Sequence, residues 1–454
     1  MRIVIVGDGK VGFSLAKNLS QEEHDIVVID SNPEALQEAL EALDIMVING
    51  NGAVLQIQKE ADVEHSDLFI AVTSYDEINI LCCVLAKKLG CPHTVSRVRN
   101  TDYREQLLLL RSELGLSMTV NPEFSAAREI FRLIQFPSFI KLDSFARSRV
   151  ELVEIAIKEN SKLIDKRLDQ LYDLLKMKLL VCVIERNNEV IIPTGNTVLK
   201  CGDKITVTAP VTNLAKLVKK LDISKQKIKN AIIVGGSTIA EHLAQQLINS
   251  GVSVKIIEQD EERCRELALK ISDAVIIHGD GTKQDLLLEE GIADTDAIIS
   301  LTNIDEENLI VSMYADHLNV PKVITKIDRS EYSHIFADKG IGSVVCPKLL
   351  ATAEIIRFVR AMNNSEGEDS ILTLHRLVDD KVEALEFIAK NNTRNLGVPL
   401  SDIKFKQNLL VATISRGNKI IIPQGSDVIK AGDKVVIVTA TDSRITELND
   451  IFQD

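Results

Sequence analysis

One feature constrains the fold more than any other: the sequence repeats itself. The segment IVIVGDGKVGFSLAKNL near the start returns as AIIVGGSTIAEHLAQQL, so that Gly7 corresponds to Gly235 in a chain of 454 residues. The endings IIPTGNTVLKCGDK (191–204) and IIPQGSDVIKAGDK (421–434) correspond as well. A period of half the chain indicates an internal duplication of one structural unit.

The sequence of each repeat predicts two structural parts. The first alternates short β-branched runs such as IVIV and IVVI with helical patterns, which is typical of a parallel sheet built from βαβ units. The second reads as a small α+β domain. The predicted fold class is therefore α/β, with two Rossmann-like doubly wound parallel-sheet domains, each followed by a small α+β domain. The expected domains are 1–145, 146–225, 226–362 and 363–454, and polar segments at 222–230 and 362–370 read as exposed connectors.

Composition limits the classes of function. The formal net charge of −13 disfavours a nucleic-acid partner, and a content of 45% hydrophobic residues is ordinary for soluble domains. We find no signal peptide and no apolar run near the roughly 20 residues that span a bilayer, so we expect a cytoplasmic protein that reaches a membrane through a partner. The seven cysteines lack CxxC spacing and the eight histidines lack metal-ligand spacing, so we expect neither disulfides nor a metal site.

A glycine-rich motif follows the first predicted strand and opens a helix. In this context Gly7 permits a tight turn, Gly9 lets the backbone approach a pyrophosphate, and Gly12 allows close packing of helix and strand. Asp30 ends the second strand about 20 residues later, where a carboxylate binds ribose hydroxyls and disfavours a 2′-phosphate. These features favour NAD(H) or an adenine nucleotide over NADP(H). The candidate residues of this loop are Gly7, Asp8, Gly9, Lys10, Val11 and Gly12.

The second copy departs from this motif at one position. Ser237 replaces the middle glycine and adds a Cβ at the point of closest approach, although its hydroxyl could donate to a phosphate. Glu258 keeps the acid of the second strand, and Ala240 is acceptable at the third glycine position. We therefore expect two sites that differ in affinity or ligand. The candidate residues of the second loop are Gly235, Gly236, Ser237, Thr238 and Ile239.

Polar residues follow the next predicted parallel strand in both halves. Thr73 and Ser74 correspond to Thr302 and Asn303, at the edge where open α/β sheets bind ligands. The spacing of Thr73 and Asp76 also predicts capping of the following helix. Backbone contact with an adenosine is compatible with such capping.

Two further pairs of residues are candidates for the sites. Arg97 in TVSRVRN corresponds to Lys326 in VITKIDR, each in the strand beyond, where a cation could reach a phosphate. The segments GNGA (50–53) and GDGT (279–282) also correspond, which adds Asn51 and Asp280.

Residues for catalysis are missing from the sequence pattern. Tyr172 and Lys176 have the YxxxK spacing of short-chain dehydrogenases, but they lie in the small domain and have no counterpart in the other half. No serine or cysteine lies in a nucleophile motif. We therefore expect a protein that is not an enzyme and has no catalytic residues.

Both halves carry an apolar stripe after the Rossmann-like part. Helical spacing predicts either a helix that covers its own sheet or a protein–protein interface. Because both halves carry the stripe, we favour an arm that crosses to another nucleotide-binding domain. The stripes consist of Phe124, Ala127, Phe131 and Ile134, and of Leu349, Thr352, Ile356 and Val359.

In this order and in duplicate, these motifs resemble a known family. VGDGKVG (6–12), the acid of VVID, NGNGA (49–53), AVTSYDEIN (71–79) and the two endings are similar to the tandem domains that regulate potassium conductance, specifically those of Trk potassium-uptake regulatory subunits. The resemblance covers nearly the whole chain. It implies a homotetrameric ring, peripheral on the inner face of the cell membrane, that gates a TrkH- or TrkG-like potassium-translocating subunit in response to NAD(H) and ATP or ADP.

The resemblance also implies which residues line each site. The first set is Gly7 to Val11, Asp30, Thr73, Ser74 and Arg97, and the second is Gly235 to Ile239, Glu258, Thr302, Asn303 and Lys326. Two alternatives stay open at this point. One is an NAD-dependent oxidoreductase, and the other is a regulator of another potassium channel or of a potassium/proton antiporter.

Overall fold

The structure is a computed structural model of the whole chain. It describes all residues except 23, 101, 136–141, 146–149, 158, 160, 188, 211–215, 217–219, 221–226, 330–341, 367–372, 378–380, 418, 441–444, 446 and 454. The predicted domain boundaries near 145 and 225, and most of the predicted connector at 222–230, lie outside the described residues.

The described part of the first Rossmann-like domain contains six strands and six α-helices. The strands are β1 Arg2–Val6, β2 Asp25–Asp30, β3 Met46–Asn49, β4 Leu68–Ala71, β5 His93–Arg97 and β6 Met118–Val120. They form one parallel sheet in the order β3-β2-β1-β4-β5-β6. The helices are α1 Lys10–Gln21, α2 Pro33–Ala42, α3 Leu55–Glu60, α4 Asp76–Leu89, α5 Asp102–Leu110 and α6 Pro122–Gln135.

Burial on both faces explains why the central strands are continuous apolar runs. Ile3, Val4 and Ile5 of β1 are fully buried, as expected for a parallel strand covered by helices on each side. Helix α1 buries one stripe, which includes Leu15 and Leu19. The strand order reverses between β1 and β4, and this switch point is where open α/β sheets bind ligands.

The first small domain is an antiparallel sheet. Its strands are β7 Leu142–Phe145, β8 Val150–Ala156, β9 Leu180–Arg186, β10 Glu189–Ile191 and β11 Lys204–Pro210, with the short helix α7 Leu171–Leu175 before β9. The strand order is β10-β9-β11-β8-β7.

The second Rossmann-like domain repeats the first. Its strands are β12 Asn230–Val234, β13 Ser253–Glu258, β14 Val275–His278, β15 Ala297–Ser300, β16 Lys322–Lys326 and β17 Ser343–Val345, in the order β14-β13-β12-β15-β16-β17. Its helices are α8 Thr238–Asn249, α9 Glu261–Lys270, α10 Gln284–Glu289, α11 Asp305–His317 and α12 Pro347–Glu366.

The second small domain again forms an antiparallel sheet. Its strands are β18 Thr373–Leu377, β19 Val382–Ile388, β20 Leu409–Arg416, β21 Lys419–Ile421 and β22 Lys434–Ala440, in the order β18-β19-β22-β20-β21. The two small sheets share one apolar core, to which Val183 and Val436 both contribute. The hydroxyls of Thr208 and Thr413 lie 3.1 Å apart within it. The predicted duplication of a Rossmann-like domain followed by a small domain is thus confirmed.

The chain folds into two compact units whose composition does not follow the repeat. The first unit contains Met1–Arg128 together with Ile327–Ser330 and Val345–Val359, and the second contains the rest. Within the first unit, Glu354 of α12 accepts hydrogen bonds from Ser125 at 3.1 Å and from Arg128 at 2.9 Å. The start of α12 therefore belongs by sequence to the second half and by packing to the first domain, as the prediction of a crossing arm requires.

Helix α12 also corrects one expectation. The polar segment 362–370 was predicted to be an exposed connector, but the helix continues to Glu366. Of the predicted stripe, Thr352, Ile356 and Val359 are buried, whereas Leu349 is 44% exposed. Packing of this face stabilises the helix, which continues into the Asn and Ser residues beyond it. Among the described helices, none is both long and apolar enough to cross a membrane.

Candidate functional site

The first candidate site lies where β1 passes into α1, at the carboxyl edge of the sheet. Gly7 has φ +99°, a left-handed conformation that side chains rarely adopt, and a Cβ there would lie 2.9 Å from the backbone nitrogen of Thr73. A Cβ on Gly12 would lie 1.8 Å from the Gly7 carbonyl oxygen. Both glycines are therefore required by the packing of the protein itself.

Gly9 differs from these two glycines. Its φ is −70°, and a Cβ at this position would meet no protein atom within 4 Å. Gly9 is also the N-cap of α1, and no side chain accepts a hydrogen bond from the helix start. The loop therefore presents open space beside unpaired N–H groups and the positive end of a helix dipole, which together form an anion-binding surface.

Asp30 at the end of β2 braces this loop. Its Oδ2 accepts a hydrogen bond from the backbone N–H of Asp8 at 2.6 Å, and its Oδ1 accepts one from Asn32 at 2.8 Å. Each oxygen retains a further lone pair on the half-exposed side of the residue. The carboxylate can accept hydrogen bonds from ribose hydroxyls in the orientation that these backbone donors fix.

Asp8 occupies an unusual place in the loop. Its side chain is 6% exposed, and neither carboxylate oxygen has a hydrogen-bond partner in the structure. Burial, followed by the charges of Asp30 and Glu38, raises the pKa of Asp8 to about 7. A carboxyl group in this position is held close to its titration point at neutral pH.

The second loop differs at two positions. Ser237 is the N-cap of α8, and its hydroxyl oxygen accepts a hydrogen bond from the Ala240 N–H, so the start of this helix is capped. Gly236 takes the place of Asp8, and a Cβ there would lie 2.6 Å from Leu267 and 2.9 Å from a Glu258 carboxylate oxygen. In the first half the smaller Ala39 corresponds to Leu267, which explains how a larger residue fits there.

Glu258 braces the second loop as Asp30 braces the first. It accepts hydrogen bonds from the N–H groups of Gly236 at 2.6 Å and Asp260 at 2.8 Å. Arg263 adds a contact without counterpart at Ala35 of the first half, because its Nε donates to the Gly236 carbonyl at 2.7 Å while another nitrogen pairs with Glu241 at 2.9 Å. The second loop is therefore cross-linked more extensively than the first.

The predicted capping of α4 by Thr73 is wrong. The N-cap is Tyr75, and no side chain caps the helix. The Thr73 hydroxyl instead bonds Asn79 Oδ1 at 2.7 Å, and the Thr73 N–H donates to the same oxygen at 2.8 Å. Asn79 in turn donates to the carbonyls of Thr73 and Arg97 at 3.1 and 3.0 Å. A buried side chain thus outcompetes the local cap.

Asn79 and its counterpart Asn308 were missed by the sequence analysis. Asn308 accepts from the Thr302 N–H at 2.8 Å and donates to the carbonyls of Thr302 and Lys326 at 3.1 and 3.2 Å. Both asparagines are fully buried and tie two strand ends of the site together. Their signal was present in the repeated DEIN and DEEN segments.

The two predicted cations have different environments. Arg97 is partly buried, lies 3.8 Å from Glu123, and its Nε has no hydrogen-bond partner in the structure. Burial lowers the pKa of Arg97, against the opposing charge of Glu123. Lys326 is 5% exposed and donates to the Thr302 carbonyl at 3.1 Å. Arg97 thus retains an unpaired donor at the site, whereas Lys326 is engaged with the strand end.

The remaining candidates fall into three groups. Asn51 and Asp280 each begin a loop and accept a hydrogen bond from the backbone N–H two residues later, at 2.9 and 3.0 Å. Hydrogen bonds from Thr282 lower the pKa of Asp280. Three candidates are exposed at the loop edges, and two are buried helix residues that pack inward. The exposed ones are Lys10, Ser74 and Asn303, and the buried ones are Val11 and Ile239.

An open glycine loop, an uncapped helix and a braced acid at the switch point define a Rossmann-like nucleotide-binding domain in the first half. The second half repeats the fold and the braced acid, but its helix is capped by Ser237. The chain belongs to the TrkA family. The TrkA-N domain matches 3–122 and 231–347, and the TrkA-C domain matches 152–222 and 384–453.

Relatives align over the full length of the chain. The Trk system potassium uptake protein TrkA homolog of Archaeoglobus fulgidus is 31% identical over 453 residues, covering 100% of both chains. TrkA homolog 2 of Methanosarcina mazei is 32% identical with 100% of both covered. TrkA of Halomonas elongata is 31% identical, covering 100% of this chain and 99% of the relative. These names describe potassium uptake and none describes an enzyme.

Solved structures share the fold. The GsuK RCK domain gives a TM-score of 0.61 at 17% identity, covering 97% of this chain and 92% of that one. The GsuK channel bound to NAD gives 0.62 at 16%, covering 97% and 77%. The GsuK structure bound to ADP gives 0.52 at 16%, covering 80% and 70%.

Proposed function

We propose that this chain is a nucleotide-sensing regulatory subunit that gates a membrane potassium-translocating partner. The observation that supports this most directly is the first loop, where the uncapped start of α1 and the open space at Gly9 lie beside the braced carboxylate of Asp30. An anion and a ribose fit these groups.

The ligand of the first site is NAD(H) or an adenine nucleotide. Asp30 disfavours a 2′-phosphate, and the GsuK neighbours are solved with NAD and with ADP. The residues proposed to line it are Gly7 to Gly12, Asp30, Asn51, Thr73, Ser74 and Arg97; those of the second site are Gly235 to Ile239, Glu258, Asp280, Thr302, Asn303 and Lys326.

Regulation follows from differential binding. A nucleotide that binds two arrangements of an assembly with unequal affinity shifts their populations, and a coupling of ~1–3 kcal/mol is typical. We propose a homotetrameric ring on the cytoplasmic face of a TrkH- or TrkG-like subunit. The full-length relatives are named as Trk system potassium uptake proteins, which supports a partner in potassium transport. The four-domain division at 145, 225 and 362 remains part of this proposal.

Calorimetric titration of the full chain with NADH, ATP and ADP tests the nucleotide site. We expect saturable binding at a stronger site, which Gly9→Val abolishes because its larger side chain fills the space open to the ligand. Retention of wild-type affinity in Gly9→Val would show that the loop does not bind the phosphates. Turnover of NADH absorbance with candidate substrates would instead support the oxidoreductase alternative.

A further inference from the structure

The second residue of the crossing helix is acidic in the first half and basic in the second. In the first half Glu123 of α6 accepts a hydrogen bond from Arg99 at 2.8 Å. In the second half Lys348 of α12 donates to the carbonyl oxygen of Asp328 at 3.1 Å and lies 3.6 Å from its carboxylate. Both halves therefore have an ion pair at this position. The helix contributes the anion in the first half and the cation in the second.

Lys348 is held in the compact unit of the first domain. Asp328 and the segment Val345–Val359 both belong to that unit. One turn and a half along α12, Glu354 bonds Ser125 and Arg128 of α6 at 3.1 and 2.9 Å. The second half of the chain thus places a lysine within the body that carries the first glycine loop.

Lys348 lies beside Lys10, the first residue of α1, so that the two positive charges act on each other. Burial lowers the pKa of Lys348; Asp328 opposes this effect and the positive charge of Lys10 adds to it. The two ammonium groups repel each other beside an uncapped helix start. An anion that binds between them is therefore stabilised by both charges and by the helix dipole.

We propose that Lys348 is a residue of the first nucleotide site, where with Lys10 it binds the terminal phosphate of an adenine nucleoside di- or triphosphate. This rests on the proposed nucleotide site at the Gly9 loop. It makes Lys348 a specificity-determining residue that favours ADP and ATP over NAD(H).

The charge of the ligand explains the selectivity. A terminal phosphate monoester carries −1.5 to −2 charges near neutral pH and three strong acceptor oxygens. Each phosphate of the diphosphate in NAD or ADP-ribose is a diester with one negative charge, and the ligand continues there into a sugar. A lysine ammonium interacts with phosphate as a point charge. A second ammonium should therefore raise the affinity most for a ligand with a free terminal phosphate.

Calorimetric titrations of the full chain with ATP, ADP, ADP-ribose and NAD⁺ test the proposal, because ADP and ADP-ribose share the diphosphate and differ at its end. The titrations use a Glu258→Ala background, which weakens the second site. We expect Lys348→Met to weaken ADP and ATP about tenfold or more, while ADP-ribose and NAD⁺ change by less than about twofold. Lys348→Arg should restore ADP binding. Lys17→Met, an exposed lysine farther along α1, is the matched charge control and should change none of the four.

Two results would overturn the proposal. One is an equal loss for all four ligands in Lys348→Met, which would give Lys348 a structural role. The other is unchanged ADP and ATP affinity. If the parent chain binds none of the four nucleotides, the proposed function itself fails, and this outcome is distinct from the other two. If Lys348→Met does not fold, Lys348→Gln supplies the same comparison. Salt supplies a second one, because ADP binding should depend on salt more steeply in the parent chain than in the variant.

Discussion

The backbone N–H of Asp8 donates to the Asp30 carboxylate at 2.6 Å, while the side chain of Asp8 lies buried beside that carboxylate with both oxygens unpartnered. Two neighbouring carboxylates of this kind resist being ionised together. The proton state of Asp8 therefore affects the loop that the ligand must use.

Stability should depend on pH through Asp8. Its folded pKa of about 7 lies above the usual 3.8, so between these values the folded state binds more protons than the unfolded state. Stability therefore falls as pH rises from about 4 to 7, and the loss is complete above the folded pKa. Asp8→Asn should raise the free energy of unfolding at pH 8 by up to about 4 kcal/mol, at about 1.4 kcal/mol per pKa unit.

Urea unfolding followed by far-UV circular dichroism at pH 5 and pH 8 measures this difference, since the chain has no Trp. Asp44→Asn, at an exposed position, is the control and should leave both values unchanged. A stability gap between Asp8→Asn and the parent that is the same at both pH values would contradict the account.

The two sites should be unequal. Calorimetry should resolve one stronger and one weaker or silent site per chain, because Ser237 caps its helix where Gly9 leaves the helix open. Gly9→Ser should lower first-site affinity about tenfold with little effect on unfolding, since its Cβ meets no protein atom. Ser237→Gly should remove the cap at a cost of a few tenths of a kcal/mol and strengthen the second site. Two identical sites in the parent chain would refute this asymmetry.

Asp30 should set the preference for the ribose. Asp30→Ala removes an acceptor for the ribose hydroxyls and the brace on the loop, so NADH affinity should fall by ~10- to 100-fold, as expected for hydrogen bonds to a charged group. NADPH affinity should fall less, because repulsion of the 2′-phosphate is also removed. Fluorescence titration of both cofactors gives the ratio, and an unchanged ratio would argue against ribose recognition by Asp30.

Asn79 should be a stability residue of the site. Asn79→Leu leaves the N–H of Thr73 and the carbonyls of Thr73 and Arg97 without their partner in a buried place, which should cost about 2–4 kcal/mol. Denaturant unfolding measures the loss, and Ser74→Ala, exposed nearby, should stay near the parent value. Asn308→Leu should behave in the same way in the second half. A loss below about 0.5 kcal/mol for Asn79→Leu would mean that the strand ends do not depend on this bridge.

Much of the fold follows from local sequence rules. The buried β-branched runs, the glycine turn at Gly7 and the acid at the end of β2 are dictated by steric and burial requirements within a few residues. The repeat then transfers each element to the second half, so that two sheets with the order 3-2-1-4-5-6 could be expected from one motif.

The rest depends on contacts between residues far apart in sequence. The burial of Asp8 depends on the small Ala39, and the capping prediction failed because Asn79 reaches Thr73 across the start of α4. The contact of Lys348 with Lys10 joins residues of opposite halves. No local pattern encodes such pairs, although repeated positions with exchanged charge, such as Glu123 and Lys348, mark where to look.

The most direct test of the central claim is potassium or rubidium flux into proteoliposomes that contain the membrane partner co-purified with this chain, titrated with NADH, ADP and ATP. The account predicts a nucleotide-dependent flux that disappears in the Gly9→Val and Asp30→Ala chains while the complex stays assembled. The same nucleotide response in those variants would contradict it, because the first site would then not be the sensor.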